Sequence, residues 1–213
     1  MIINWPHLTD SDIETRAAEF RDAAIQALDY KGTAPVPVEQ IAEIYLGYEF
    51  EFVEDDEALP GDVIGGIDFD SKTIIINAAI EDHIGRYSFT IAHEIAHHVL
   101  HRNIFLKAQS DQSIMCRGGV KRPIEEVQAD RFAEALLMPR DVVCGGFKRV
   151  RWRRSYSRRG RLALASKVIQ STGLINVSVA AMEMRLLHLG LVSNFNLSNN
   201  PVVSFLYRKL KRR

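Results

Sequence analysis

Two histidines four residues apart, with a glutamate between them, stand at His93-Glu94-Ile95-Ala96-His97. On a helix, positions i and i+4 share a face, so both imidazoles can reach one cation. Zinc at ~2.0–2.1 Å from each nitrogen suits such a pair. Glu94 is rotated ~100° from His93. That takes it off the ligand face but leaves it able to reach a water at the cation and accept its proton as general base.

A third ligand is expected one helix downstream, in Glu125-Glu126-Val127-Gln128-Ala129-Asp130. Glu126 and Asp130 have the four-residue spacing that puts two acids on one face; Glu125 does not. Glu126 is therefore the residue expected to complete a His₂Glu site with an open fourth position. Asp130 is expected to accept the outer N–H of a ligating histidine and fix its tautomer. Like charges at this spacing repel, which disfavours a plain solvated face. His98 is rotated ~100° from His97, and His101 lies ~12 Å along the axis from His93. Both are read as ordinary polar positions.

Helices and strands must position this constellation. The spacing predicts helices over 10–28, 38–46, 86–102, 124–138, 162–172 and 177–189, with Gly47, Gly173 and Gly190 as stops. Thr9 or Ser11 can cap the first, and Pro123 opens the fourth. Strands are expected over 48–53, 63–68 and 72–77, the last two joined by a tight hairpin at Phe69-Asp70-Ser71. Residues 103–122 read as loop. Ile74-Ile75-Ile76 is too apolar for an exposed edge. The fold class is α+β: a small antiparallel or mixed sheet packed on helices, with a small helical C-terminal element.

The whole chain has 213 residues, 46% hydrophobic and 25% charged, ordinary for a globular protein and excluding disordered or low-complexity classes. Its formal net charge is zero, but residues 1–144 hold 26 acids against 12 bases, and residues 145–213 hold 15 bases against one acid, Glu183. Two parts are expected, a core over 1–144 and a basic helical segment and tail over 145–213. The run from Phe147 to Arg161 interleaves Trp152 and Tyr156 with arginines, which allows a second reading. In it, residues 148–161 neutralise phosphate and stack on bases, making a nucleic-acid-binding or regulator-binding module. The N-terminus lacks a signal-peptide pattern and no run reaches the ~18 apolar residues of a membrane span, so no membrane partner is expected. Cys116 and Cys144 form no C-x-x-C pair, which fits free thiols in the cytoplasm.

Thr90-Ile-Ala-His-Glu-Ile-Ala-His97, followed by Glu126-Val-Gln-Ala-Asp-Arg-Phe-Ala-Glu-Ala-Leu-Leu-Met-Pro139, resembles the ImmA/IrrE family of metallopeptidases. The second segment matches the family's E-x-x-A-[ND]-x-F-A-x-x-L-L-M-P signature throughout. The likeness extends over about residues 10 to 192. It implies a zincin-like core and a zinc-dependent endopeptidase, with His93, His97 and Glu126 as zinc ligands and Glu94 as general base. It also implies a helix-turn-helix repressor as substrate, cleaved or inactivated to derepress phage, mobile-element or stress-response genes. The peptide is expected to pair with an active-site strand such as Ile74–Asn77. Tyr87, Tyr156 or an arginine is expected to stabilise the oxyanion.

Overall fold

The computed structural model describes residues 5–32, 34–54, 64–107, 114–116, 123–150 and 157–193. Trp152 and Tyr156, with the end of the basic tail, lie outside the described residues. The chain divides into two compact units. One comprises Met1–Pro139 with Leu174–Ser178, the other Arg140–Gly173 with Val179–Arg213.

The first unit opens with helix α1 (Asp10–Ala27), fixed by a reciprocal cap. The Thr9 hydroxyl accepts from the Asp12 N–H, and the Asp12 carboxylate accepts from the Thr9 N–H at 2.9 Å. Two orphan donors of the first turn are thereby satisfied. Ile13, Ala17 and Ala24 form its buried stripe, and Phe20 packs against Phe132 at 6.0 Å between ring centroids. The helix expected over 38–46 is a short α2 (Val38–Gln40) running into a wider π-helical turn, Ile41–Tyr45. Gly47 ends it at φ 72°, a left-handed conformation that glycine adopts without a Cβ clash.

Four strands follow: β1 (Glu49–Val53), β2 (Gly65–Asp68), β3 (Thr73–Asn77) and β4 (Ile114–Cys116). Their order is β1-β3-β2-β4, with β1 parallel to β3 and the other pairs antiparallel. The β2–β3 hairpin turns through Asp68, whose carboxylate accepts from the Asp70 and Ser71 N–H groups. Ile67, Ile74 and Ile76 are fully buried. Each such side chain contributes about 1.5–3 kcal/mol relative to exposure.

The position of β3 corrects one expectation. Both its ladders are taken, by β1 along Thr73–Asn77 and by β2 along Thr73–Ile76. No backbone group of Ile74–Ile76 is left to pair with a peptide, so a substrate cannot add beside this strand. The triple isoleucine that argued against an exposed edge marks the centre of the sheet.

Helix α3 (Ile84–Ala96) passes into a π-helical turn, His97–His101, and then α4 (Arg102–Lys107). The segment read as loop from Asn103 to Arg122 therefore holds the end of this helix and strand β4. The π turn shifts the 3.6-residue period, and three strand residues are too few to show alternation. α5 (Ile124–Leu137) starts after Pro123, which occupies its cap. It packs against both α1 and α3, and α3 contacts β2 and β3. Ile91, Ile95, Phe132 and Leu136 complete the core between these layers.

The second unit contains α6 (Arg140–Arg149), α7 (Arg158–Thr172) and α8 (Val179–His188). The boundary expected at 144/145 falls within α6. A Cβ on Gly146 would run into Thr172 Cγ2, so glycine lets α6 and α7 approach closely here. Gly173 stops α7 at φ 75°. Part of the basic run is spent inside this unit. Glu183, the single acid among residues 145–213, accepts from the buried Arg161 at 2.9 Å and lies 3.9 Å from Arg158. Among the described residues, no helix is long and apolar enough to cross a membrane.

Candidate metal centre

Buried alanines let α3 and α5 lie close: Ala92 and Ala96 on one, Ala129 and Ala133 on the other are all fully enclosed. Across this contact the polar side chains converge. His93, Glu94 and His97 are only 1%, 1% and 2% exposed. His93 Nε2 and His97 Nε2 face each other at 3.0 Å. The Glu126 carboxylate caps both, with Oε2 3.3 Å from His93 Nε2 and Oε1 3.4 Å from His97 Nε2. Burying charged and polar groups this deeply costs free energy unless they find partners. Among the described residues, no other group of three His, Cys, Asp or Glu side chains converges so tightly.

The donor set fits a tetrahedral divalent cation. With bonds of about 2.0–2.1 Å, tetrahedral donors stand about 3.3 Å apart. The two Nε2 atoms stand 3.0 Å apart and each has a different Glu126 oxygen at 3.3 or 3.4 Å; with one atom per residue, the three donors lie within 4.8 Å of one another, close enough to share one ion. Two imidazoles and one carboxylate also leave a fourth position for water or substrate.

Electrostatics bind the group together. Burial alone would push the His93 pKa down, but hydrogen bonds with Asp130 and Glu126 and the charge of Glu94 hold it up at about 9. Burial lowers that of His97, and His93 beside it adds to the effect. Burial would raise Glu126, yet its hydrogen bonds with the two histidines keep its carboxyl well below the usual range. The carboxylate therefore stays ionised, as a ligand must be.

Of the residues singled out from the sequence, His93, His97, Glu126 and Asp130 are brought together here. Asp130 Oδ1 lies 3.1 Å from His93 Nδ1, the outer nitrogen, as the four-residue spacing expected. Glu126 is buried at the cluster, while Glu125 is a half-buried neighbour outside it. Glu94 is buried beside the cluster without joining the three converging donors. Tyr87 stacks on Phe52 at 6.3 Å and donates to Glu39. Burial, that hydrogen bond and the charges of Glu39, Glu43 and Glu81 raise its pKa. A hydroxyl set among carboxylates is poorly placed to meet a developing oxyanion.

His98 turns away to Tyr48, whose hydroxyl lies 2.8 Å from its Nδ1. Burial lowers the His98 pKa to about 4, and raises that of Tyr48 to about 12. His101 is different from its reading as an ordinary polar position: it is fully buried, with Nδ1 3.0 Å from His97 Nδ1. The signal was present in the sequence, since 93, 97 and 101 repeat the same four-residue step along one face.

Gly65 on β2 also escaped notice. A Cβ there would run into Thr90 Cγ2 and come within 3.2 Å of Glu94 Oε1. The strand backbone thus presses directly on the general-base candidate, and only glycine fits. Gly65→Val is expected to displace Glu94 and lower peptidase activity by at least about 10²-fold, as misplacement of a catalytic group by an ångström does. Activity and a thermal melt, measured together, separate this from unfolding.

Residues 54–145 match the family model of the IrrE N-terminal-like domain, a peptidase family. Over these residues the chain is similar to an IrrE N-terminal-like domain. The match contains both halves of the metal centre, the α3 histidines and Glu126 of α5. It agrees with the ImmA/IrrE resemblance of the two motifs and supports a metallopeptidase family for this part of the chain. The α+β architecture, a small mixed sheet against helices, accords with that assignment. Among curated proteins, none matches the chain.

Proposed function

We propose that the chain is a zinc-dependent endopeptidase of the H-E-x-x-H type, with His93, His97 and Glu126 holding the metal. The observation that carries this is the buried convergence of two imidazole nitrogens and one carboxylate within reach of a single ion. When bound, zinc at this position supplies Lewis acidity, polarising a carbonyl and lowering the pKa of water. The protein's own groups do the proton work. Glu94 accepts a proton from the attacking water as the oxygen bonds to the carbonyl carbon. It then delivers that proton to the amide nitrogen as the C–N bond breaks, releasing an amine and a carboxylic acid whose remaining proton passes to the amine or to solvent. Asp130 holds the His93 ring by its outer nitrogen.

For substrate, the motif resemblance supports a helix-turn-helix repressor, cut or inactivated in the cytoplasm so that the genes it silences are expressed. The zinc-loaded chain, incubated with the helix-turn-helix regulator encoded beside it, is expected to cleave it, and a chelator to stop the cleavage. An intact regulator in both arms would count against this substrate class.

A further inference from the structure

Beyond the ligand set, we infer that His101, Gln128 and the Pro6 carbonyl form a relay that fixes the tautomer of His97 and so directs its Nε2 lone pair at the metal. This rests on the metal-centre reading above.

Gln128 Nε2 lies 2.6 Å from the Pro6 carbonyl oxygen. A peptide oxygen only accepts, so the amide of Gln128 must turn its Nε2–H to Pro6 and its Oε1 to the other side. On that side stands His101 Nε2, at 3.1 Å. An amide oxygen also only accepts, so His101 Nε2 carries a hydrogen. His101 is fully buried, with an uncharged amide rather than a carboxylate on this nitrogen. Such a ring stays neutral, which leaves its Nδ1 as an acceptor. His97 Nδ1, 3.0 Å away, must therefore be the donor. A neutral His97 with hydrogen on Nδ1 has its lone pair on Nε2, and Nε2 is the atom that faces His93 and Glu126.

The two ligand histidines are thus set by different means. Asp130 holds His93 from α5, whereas His97 is held by a chain of neutral groups that ends on the backbone ahead of α1. Gln128 is 3% exposed, and the Trp5 ring lies edge-on against His101 at 5.0 Å between centroids, so the step from His101 to Gln128 is shielded from water. The π-helical turn His97–His101 carries both rings of the first step. His101 and Gln128 are positioning residues: neither is among the converging donors.

The test reads zinc affinity by competition with a chromophoric chelator, alongside a thermal melt of each zinc-free variant. His101→Phe keeps the ring volume but removes the acceptor. It is expected to weaken zinc binding about 10–100-fold, as loss of a partner behind a ligand does. His101→Asn places an oxygen where Nδ1 stood and is expected to restore most of the affinity. Folded His101→Phe binding zinc as tightly as wild type, or His101→Asn binding as weakly as His101→Phe, overturns the relay. Should His101→Phe not fold, Gln128 decides: Gln128→Leu keeps most of the bulk but offers His101 Nε2 no acceptor, and is expected to weaken zinc binding. A folded Gln128→Leu that binds zinc as tightly as wild type overturns the relay as well. If wild type itself takes up no zinc, the metal-centre reading falls and the relay with it; if only the variants behave like wild type, the relay alone falls.

Discussion

Glu94→Gln is expected to bind zinc like wild type and to lose about 10²–10⁴-fold in kcat, the usual share of a general base in the transition state. The side chain is buried beside the converging donors without being one of them, so its amide analogue leaves the ligand set intact. Glutamine matches glutamate in size, which matters because the side chain is buried close to Gly65. What it lacks is a basic oxygen to take the proton of the attacking water. The paired readout is decisive: chelator competition for zinc and peptide cleavage for chemistry. Retained cleavage would remove Glu94 from its role, and lost zinc would make it a ligand.

The second large effect is at α5. Glu126→Ala is expected to weaken zinc binding by more than the about 10–100-fold that removal of an outer partner costs, while Glu125→Ala changes it little. The geometry separates the neighbours sharply. Glu126 reaches both Nε2 atoms at 3.3 and 3.4 Å, and Glu125 is not in the cluster. Metal content by atomic emission, with dissociation constants from competition, checks the contrast. Equal losses in the two variants would contradict the assignment of the third donor.

The site was legible in the sequence wherever helical spacing alone decides contact. The His93–His97 step, the Glu126–Asp130 step and the choice against Glu125 follow from 100° per residue, and the structure brings those residues together. His101 shows how the same rule was under-used. Measured from His93 it is two turns away, but measured from His97 it is a contact. Gly65 was invisible for another reason. Its meaning comes from a helix that approaches β2 in space, and nothing local marks it.

In the fold, long periodic helices such as α1 and α5 could be read closely from their caps and apolar stripes. The π turns at Ile41–Tyr45 and His97–His101 could not, because one extra residue per turn breaks the period without changing composition. Strand order was equally hidden: Ile74–Ile76 reads as buried, but only pairing on both sides makes it central. The opposed charges of 1–144 and 145–213 summed to zero in composition alone. Within the second unit the only acid of that stretch, Glu183, is already engaged with Arg161.

Proteolysis at this centre is tested most directly by intact-mass spectrometry of a helix-turn-helix regulator incubated with zinc-loaded wild type and with Glu94→Gln. The account predicts two fragments from the wild-type reaction whose masses sum to the intact regulator plus one water, and an uncut regulator with Glu94→Gln. An uncut regulator with zinc-loaded wild type, or the same two fragments from Glu94→Gln, would contradict it.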